Sequence, residues 1–274
     1  MTTLIIGDSF IGPFNLLDNK NLCIYKFPGK TIKGITKKED KDREKIVNLV
    51  NNNKNTKCLI FNFGQVDLWF CSYYYKFIKN KNFMMLSMIK KYCEFINSLD
   101  CKKCNKIIIS VYPTVLKDEN VFKSLLNYGI LSDNDIKSIK KIDIEKTSNF
   151  NFRYNMYKKF NNLLEKYSKI YNINYINLDD VLLNKKTNTI KQKFINPSTD
   201  VSIHLLWEPL IPLLVEKINI CNIEKKYKIN LKKALKKYII NKKQIMKKKN
   251  NENKIMKKKI MKKNNEKKIG VLNQ

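Results

Sequence analysis

Four short blocks hold side chains that together can run acyl chemistry. Gly7-Asp8-Ser9 closes the first apolar run, Leu4-Ile5-Ile6, so Ser9 falls where the chain turns out of a buried strand. Read functionally, Ser9 is a nucleophile; read plainly, Gly-Asp-Ser is a turn, because Gly permits the bend and Asp bonds the turn's own amides. Gly29, in Pro28-Gly29-Lys30-Thr31, is either a turn glycine or one whose amide closely approaches a substrate. Gly64-Gln65-Val66-Asp67 ends a second apolar strand in polar groups. His204 is the only histidine in 274 residues and follows Asp200 by four. Neutral imidazole is the natural base for a serine hydroxyl near pH 7, and a carboxylate on its other nitrogen fixes the tautomer. The plain alternative for His204 is a hydrogen-bonded structural residue.

The elements that must position these groups read as an alternating pattern. Buried strands are expected over 3–6, 22–27, 58–63, 106–112 and 173–178. Helices are expected over Lys38–Asn53, Tyr73–Ser98, Asn151–Tyr171 and about 210–222, with Pro13 confined to a first turn. The Met and aromatic stripe from Phe77 to Ile96 reads as core rather than a cofactor box. Parallel strands joined by helices define an α/β fold, with ligand groups beyond the carboxyl ends of the strands. Segment 114–150 is polar and irregular, with helical pieces around 119–127 and 132–142, and reads as an insertion over those ends.

Composition narrows the class. The chain is 43% hydrophobic, enough for a sizeable core, and no run reaches the roughly 18 apolar residues of a membrane span. No basic, apolar and small-residue succession marks a signal peptide, so a cytoplasmic location is expected. Seven scattered cysteines point to reduced thiols. Cys101-Lys102-Lys103-Cys104 is a lone CxxC beside a single His, a loop with two cysteines rather than a four-ligand zinc site. The net charge is +31, and the Lys, Asn and Ile usage looks like AT-rich coding bias. Residues 222–274 carry 20 Lys and 3 Glu, a net +17, with repeats such as Ile255-Met256-Lys257-Lys258-Lys259. The expected organisation is a domain over 1–221, a helical extension over 222–241 and a low-complexity, disordered tail over 242–274. That tail is either a polyanion- or nucleic-acid-binding segment or a solvated one; no aromatic residue follows Tyr238 to stack on bases.

Together the blocks resemble the SGNH/GDSL hydrolases, in family order over residues 1–221. Gly7-Asp8-Ser9 resembles the block with the nucleophile, Gly29 the glycine that donates an oxyanion amide, Gly64-Gln65-Val66-Asp67 the Gly-x-Asn-Asp block, and Asp200 with His204 the Asp-x-x-His block. Val66 stands where the family's Asn donates to the oxyanion, leaving Gln65 as the neighbouring carboxamide. Asp200 lies one residue further from His204 than the family spacing. The subset with Gly-x-Val-Asp includes proteins of polysaccharide synthesis and of large DNA viruses. The resemblance implies a three-layer α/β/α sandwich with a five-stranded parallel sheet. It also implies an ester hydrolase with no cofactor or metal, with catalytic Ser9, His204 and Asp200, oxyanion donors Ser9, Gly29 and Gln65, and substrate-binding Asp8 and Asp67. The substrate it implies is a small-molecule or carbohydrate ester. A non-catalytic binding protein on the same fold is the alternative, motivated by Val66 and the shifted Asp200.

Overall fold

A computed structural model describes residues 2–101, 104–196, 200–221 and 228–244. Five strands, β1 (Thr2–Gly7), β2 (Leu22–Lys26), β3 (Thr56–Asn62), β4 (Asn105–Ile109) and β5 (Asn174–Ile176), form one sheet of order β2-β1-β3-β4-β5. Every pairing is parallel. Ile5, Ile60 and Ile108 have no exposed surface, as expected of strands covered on both faces.

The connections supply those covers. In chain order the helices are α1 (Ile32–Ile35), α2 (Lys41–Asn52), α3 (Ser72–Phe77), α4 (Met85–Ser98), α5 (Val121–Asn127), α6 (Asp133–Ser138), α7 (Lys141–Ser148), α8 (Phe150–Ile170), α9 (Asp179–Leu182), α10 (Trp207–Ile220) and α11 (Leu231–Ala234). A 3-10 helix, Ser9–Leu16, follows β1 and packs on α10, whereas α4 packs on α1 and α8. The three-layer α/β/α sandwich expected from the sequence is the observed fold.

Two details differ from the sequence reading. The expected helix 73–98 is two helices, because Asn80 takes a left-handed φ of 46° and Lys81 N–H bonds back to Tyr75 O at 2.9 Å, ending α3. Cys101 and Cys104 are joined as a disulfide where reduced thiols were expected. The four-residue CxxC loop brings their Cα atoms to 5.5 Å, within bridging distance, while Cys23, Cys58, Cys71, Cys93 and Cys221 are free. The extension after α10 also docks on the domain. Asn219 exchanges two hydrogen bonds with the Ile229 backbone, and Asp18 N–H donates to Ala234 O at 2.7 Å. The low-complexity tail beyond 244 lies outside the described residues. No described helix is long and apolar enough to cross a membrane.

Candidate active site

The carboxyl ends of β1 and β3 meet at Gly7 and Asn62, which are register partners. A Cβ on Gly7 would stand 2.3 Å from Ile11 Cγ2 and 2.4 Å from Asn62 O, so the close strand-to-helix turn requires glycine there. Asp8 then caps the 3-10 helix, its Oδ1 accepting from Phe10 N at 2.9 Å. Ser9 is the first helical residue and half-buried; among the described residues no hydrogen bond engages its hydroxyl or its amide. Gly29 is exposed, with a left-handed φ of 71° and likewise an unengaged amide.

Two of the residues assigned to substrate binding lie inside the protein instead. Asp8 is 0% and Asp67 is 1% exposed, so neither carboxyl reaches a substrate. They act as braces between strand ends. Asp67 Oδ2 accepts from Ile32 N at 2.7 Å and so ties the block after β3 to the start of α1, three residues beyond Gly29. Burial is costly for the charged form of both acids. It raises Asp8 to about 8, with the neighbouring Asp67 charge adding to the rise against the Phe10 amide. It raises Asp67 to about 7 against the amides of Ile32 and Lys33.

Gln65 is also fully buried. Its Oε1 accepts from Trp69 Nε1 at 3.2 Å, and its Nε2 is buried without a partner among the described residues. The carboxamide is therefore turned into the core and does not face solvent as an oxyanion donor. Val66 is buried beside it.

His204 arrives from the far end of the chain, in an extended segment before α10. Its ring lies on Phe10, centroids 4.3 Å apart and planes 32° apart. Trp207, the first residue of α10, lies on Gly12, where a Cβ would come within 2.4 Å of the indole. Two aromatic contacts thus fasten the His204 segment to the helix that Ser9 begins. Burial lowers the imidazole pKa below its ordinary 6.5, and Lys26 lowers it further, so the ring is neutral at pH 7.

Asp200 and His204 line one cavity of about 220 Å³ with Lys117, Asn120 and Ser202. No hydrogen bond or ion pair among the described residues joins Asp200 to His204. The insertion after β4 supplies one wall. Ser124 Oγ donates to Val201 O at 2.7 Å, and buried Arg153 of α8 anchors the segment through Thr114 Oγ1, Leu116 O and Asp118 Oδ1. Segment 114–150 thus borders the site, as its place in the sequence implied.

Phe10, Gly12 and Trp207 were not singled out from the sequence. A signal was present: Gly12 follows Ser9 by three and Trp207 follows His204 by three, so one aromatic-to-glycine contact sets both chemical residues.

The five-stranded parallel α/β/α sandwich, with a Gly-Asp-Ser turn after the first strand and a late histidine, is a fold shared with solved structures of hydrolases. A candidate acylhydrolase of Bacteroides fragilis NCTC 9343 is similar over 79% of this chain and 85% of its own, at 9% identity and a TM-score of 0.50. A GDSL-like lipase of Bacteroides thetaiotaomicron VPI-5482 aligns over 79% and 86%, at 10% identity and a TM-score of 0.49. The acetyl xylan esterase AlAXEase aligns over 81% and 100%, at 14% identity and a TM-score of 0.48. No protein-family model and no curated protein matches the chain.

Proposed function

We propose that the chain is a serine ester hydrolase in which Ser9 is the nucleophile and His204 the base. The observation that carries this reading is the His204 ring seated on Phe10, the residue after Ser9 on a capped turn, with burial keeping the imidazole neutral and no hydrogen bond among the described residues engaging Ser9. Ser9 Oγ attacks the acyl carbonyl carbon while His204 takes the hydroxyl proton. The amides of Ser9 and Gly29 receive the oxyanion. Collapse expels the alcohol, protonated by the imidazolium, and leaves an acyl-Ser9 ester. Water, deprotonated by His204, then cleaves that ester to the free acid and restores both side chains. Asp200 borders the same cavity, and the resting pair is a Ser-His dyad with the Phe10 ring holding the imidazole. A cavity of about 220 Å³ beside His204, with apolar Val115 and Ile195 among polar Lys117, Asn120 and Gln192, suits a small acyl ester of a hydroxylated molecule, and an O-acetylated carbohydrate is the substrate class we assign. Residues 1–221 form the catalytic unit in this reading, and the Lys-rich end holds a polyanion by charge.

Hydrolysis of p-nitrophenyl acetate by the full chain beside Ser9→Ala tests it. Activity lost in the variant, with fluorophosphonate labelling of Ser9 in the parent, is the expected result. Equal background rates and no labelling favour the second reading, a binding protein on the same fold. That reading draws on Val66 in place of an Asn donor and on a Gln65 carboxamide turned into the core.

A further inference from the structure

We propose that a second site, separate from Ser9 and His204, binds a long-chain carboxylate. The site is a groove of about 760 Å³ between the connection from α1 to α2 and the length of α4, against about 220 Å³ for the cavity at His204. Neither Ser9, Gly29 nor His204 lines it, so the inference stands apart from the esterase reading.

Its floor is apolar. Phe83 and Met84, the latter 70% exposed, supply its open surface, with Met88 and Phe95 buried beneath them. Methionine is unbranched and polarizable, suited to the shape of a flexible chain. Its rim is cationic. Lys33, Lys37, Lys38, Arg43, Lys81 and Lys91 surround the floor, and none forms an ion pair among the described residues. Arg43 is spent on the Phe95 ring, 4.3 Å from its centroid, and on Thr36 O, and Lys33 on Tyr75. Lys37, Lys38, Lys81 and Lys91 are left facing the groove mouth.

Carboxylates are not lacking nearby. Asp40 and Asp42 both pair with Lys30 outside the groove, at 3.0 and 2.7 Å. Glu94, the one acid in the lining, accepts from Tyr171 Oη at 2.8 Å and lies 3.9 Å from Lys90. The groove thus combines uncompensated positive charge at the mouth with an unfilled apolar floor. A long acyl chain ending in one anion satisfies both. A polyanion would leave the floor exposed, and a stacked base would find the Phe95 face already covered by Arg43.

Calorimetry with the full chain and sodium dodecanoate below its micelle concentration tests the proposal. Saturable one-to-one binding is expected, tightening about fourfold per methylene from octanoate to dodecanoate, the factor for burying one CH₂. Ser9→Ala should bind unchanged. Ser87→Trp, which fills the groove from the exposed face of α4, should lose binding at least about tenfold, as should Lys37→Glu with Lys91→Glu. Equal affinity for dodecyltrimethylammonium would overturn the charge argument. Displacement by a dT12 oligonucleotide with no chain-length dependence would make the rim a polyanion surface and overturn the proposal. Loss of dodecanoate binding in Ser9→Ala would assign it to the esterase site. The chain-length series on the parent protein decides even if a variant fails to fold.

Discussion

The Ser9 turn and the His204 segment are built by opposite means. Around Ser9 the geometry is local: Gly7, Asp8, Ser9 and Phe10 are consecutive, and a 2.9 Å bond from Phe10 N to Asp8 sets the turn. Around His204 it is remote: an extended segment is held by ring contacts to Phe10 and Gly12, which lie more than half the chain away in sequence. Hydrogen bonds with fixed directions preorganise the first, while packing without a strong direction holds the second. Damage to the first should therefore abolish chemistry or fold, and damage to the second should loosen the base in measurable degrees.

The largest effect belongs to the nucleophile. Ser9→Ala should lower kcat for p-nitrophenyl acetate by at least about 10³-fold with an unchanged thermal midpoint, since no hydrogen bond among the described residues engages the hydroxyl. A fall of less than tenfold would remove Ser9 from the mechanism.

Next comes the remote side of the comparison. Phe10→Leu keeps an apolar group in the buried position but removes the face on which His204 lies. We expect kcat to fall about 10- to 100-fold with KM little changed, because a mispositioned base costs rate before it costs binding. The pH-rate profile separates this from general damage. In the parent, activity should rise with pH to a plateau whose midpoint is below 6.5, because burial favours neutral imidazole. In Phe10→Leu that midpoint should move up towards 6.5 as water reaches the ring.

These two regions also explain how much the sequence disclosed. Strand runs such as Cys58-Leu59-Ile60-Phe61 and the Gly-Asp-Ser turn were legible because their causes are contiguous residues. Which face Asp8, Asp67 and Gln65 present was not, because burial is decided by elements from elsewhere: Asp67 is claimed by the Ile32 amide and Gln65 by the Trp69 indole. The break at Asn80 was hidden because apolar residues recur at helical spacing on both sides of it, although Met84, read as part of the inward stripe, is 70% exposed. The seat of His204 depends on Phe10, and no periodicity links residues so far apart.

A third effect is read as stability. Asp8 has a folded pKa of about 8 against an ordinary 3.8. Below pH 3.8 the carboxyl is protonated in both states and contributes nothing. Above it the unfolded chain releases the proton while the folded chain keeps it, so stability falls as pH rises from about 4 to about 8. Each pH unit costs up to about 1.4 kcal/mol. Asp8→Asn retains a carbonyl to cap Phe10 N and has nothing to ionise. Its denaturation midpoint should be flatter than the parent's across that interval, with the two curves diverging towards pH 8. Parallel curves would mean that the acid is solvated or paired in the folded protein.

The smallest expected effect sharpens the contrast most. If Asp200 oriented His204 as the carboxylate of a triad, replacing it by Asn would present the wrong hydrogen-bonding partner and cost about 10⁴ in kcat. Among the described residues no hydrogen bond joins the two, and the imidazole is held from its face by Phe10. Asp200→Asn should therefore cost less than about tenfold in kcat and leave the pH-rate midpoint in place, since Asp200 does not contribute to the lowered pKa of His204. A 10⁴-fold loss would show that substrate draws the Asp200 segment onto the ring, so that the base is assembled in two stages, packing first and the carboxylate on binding. A small loss in Asp200→Asn beside a large one in Phe10→Leu would establish that an aromatic face does here what a carboxylate does in a triad.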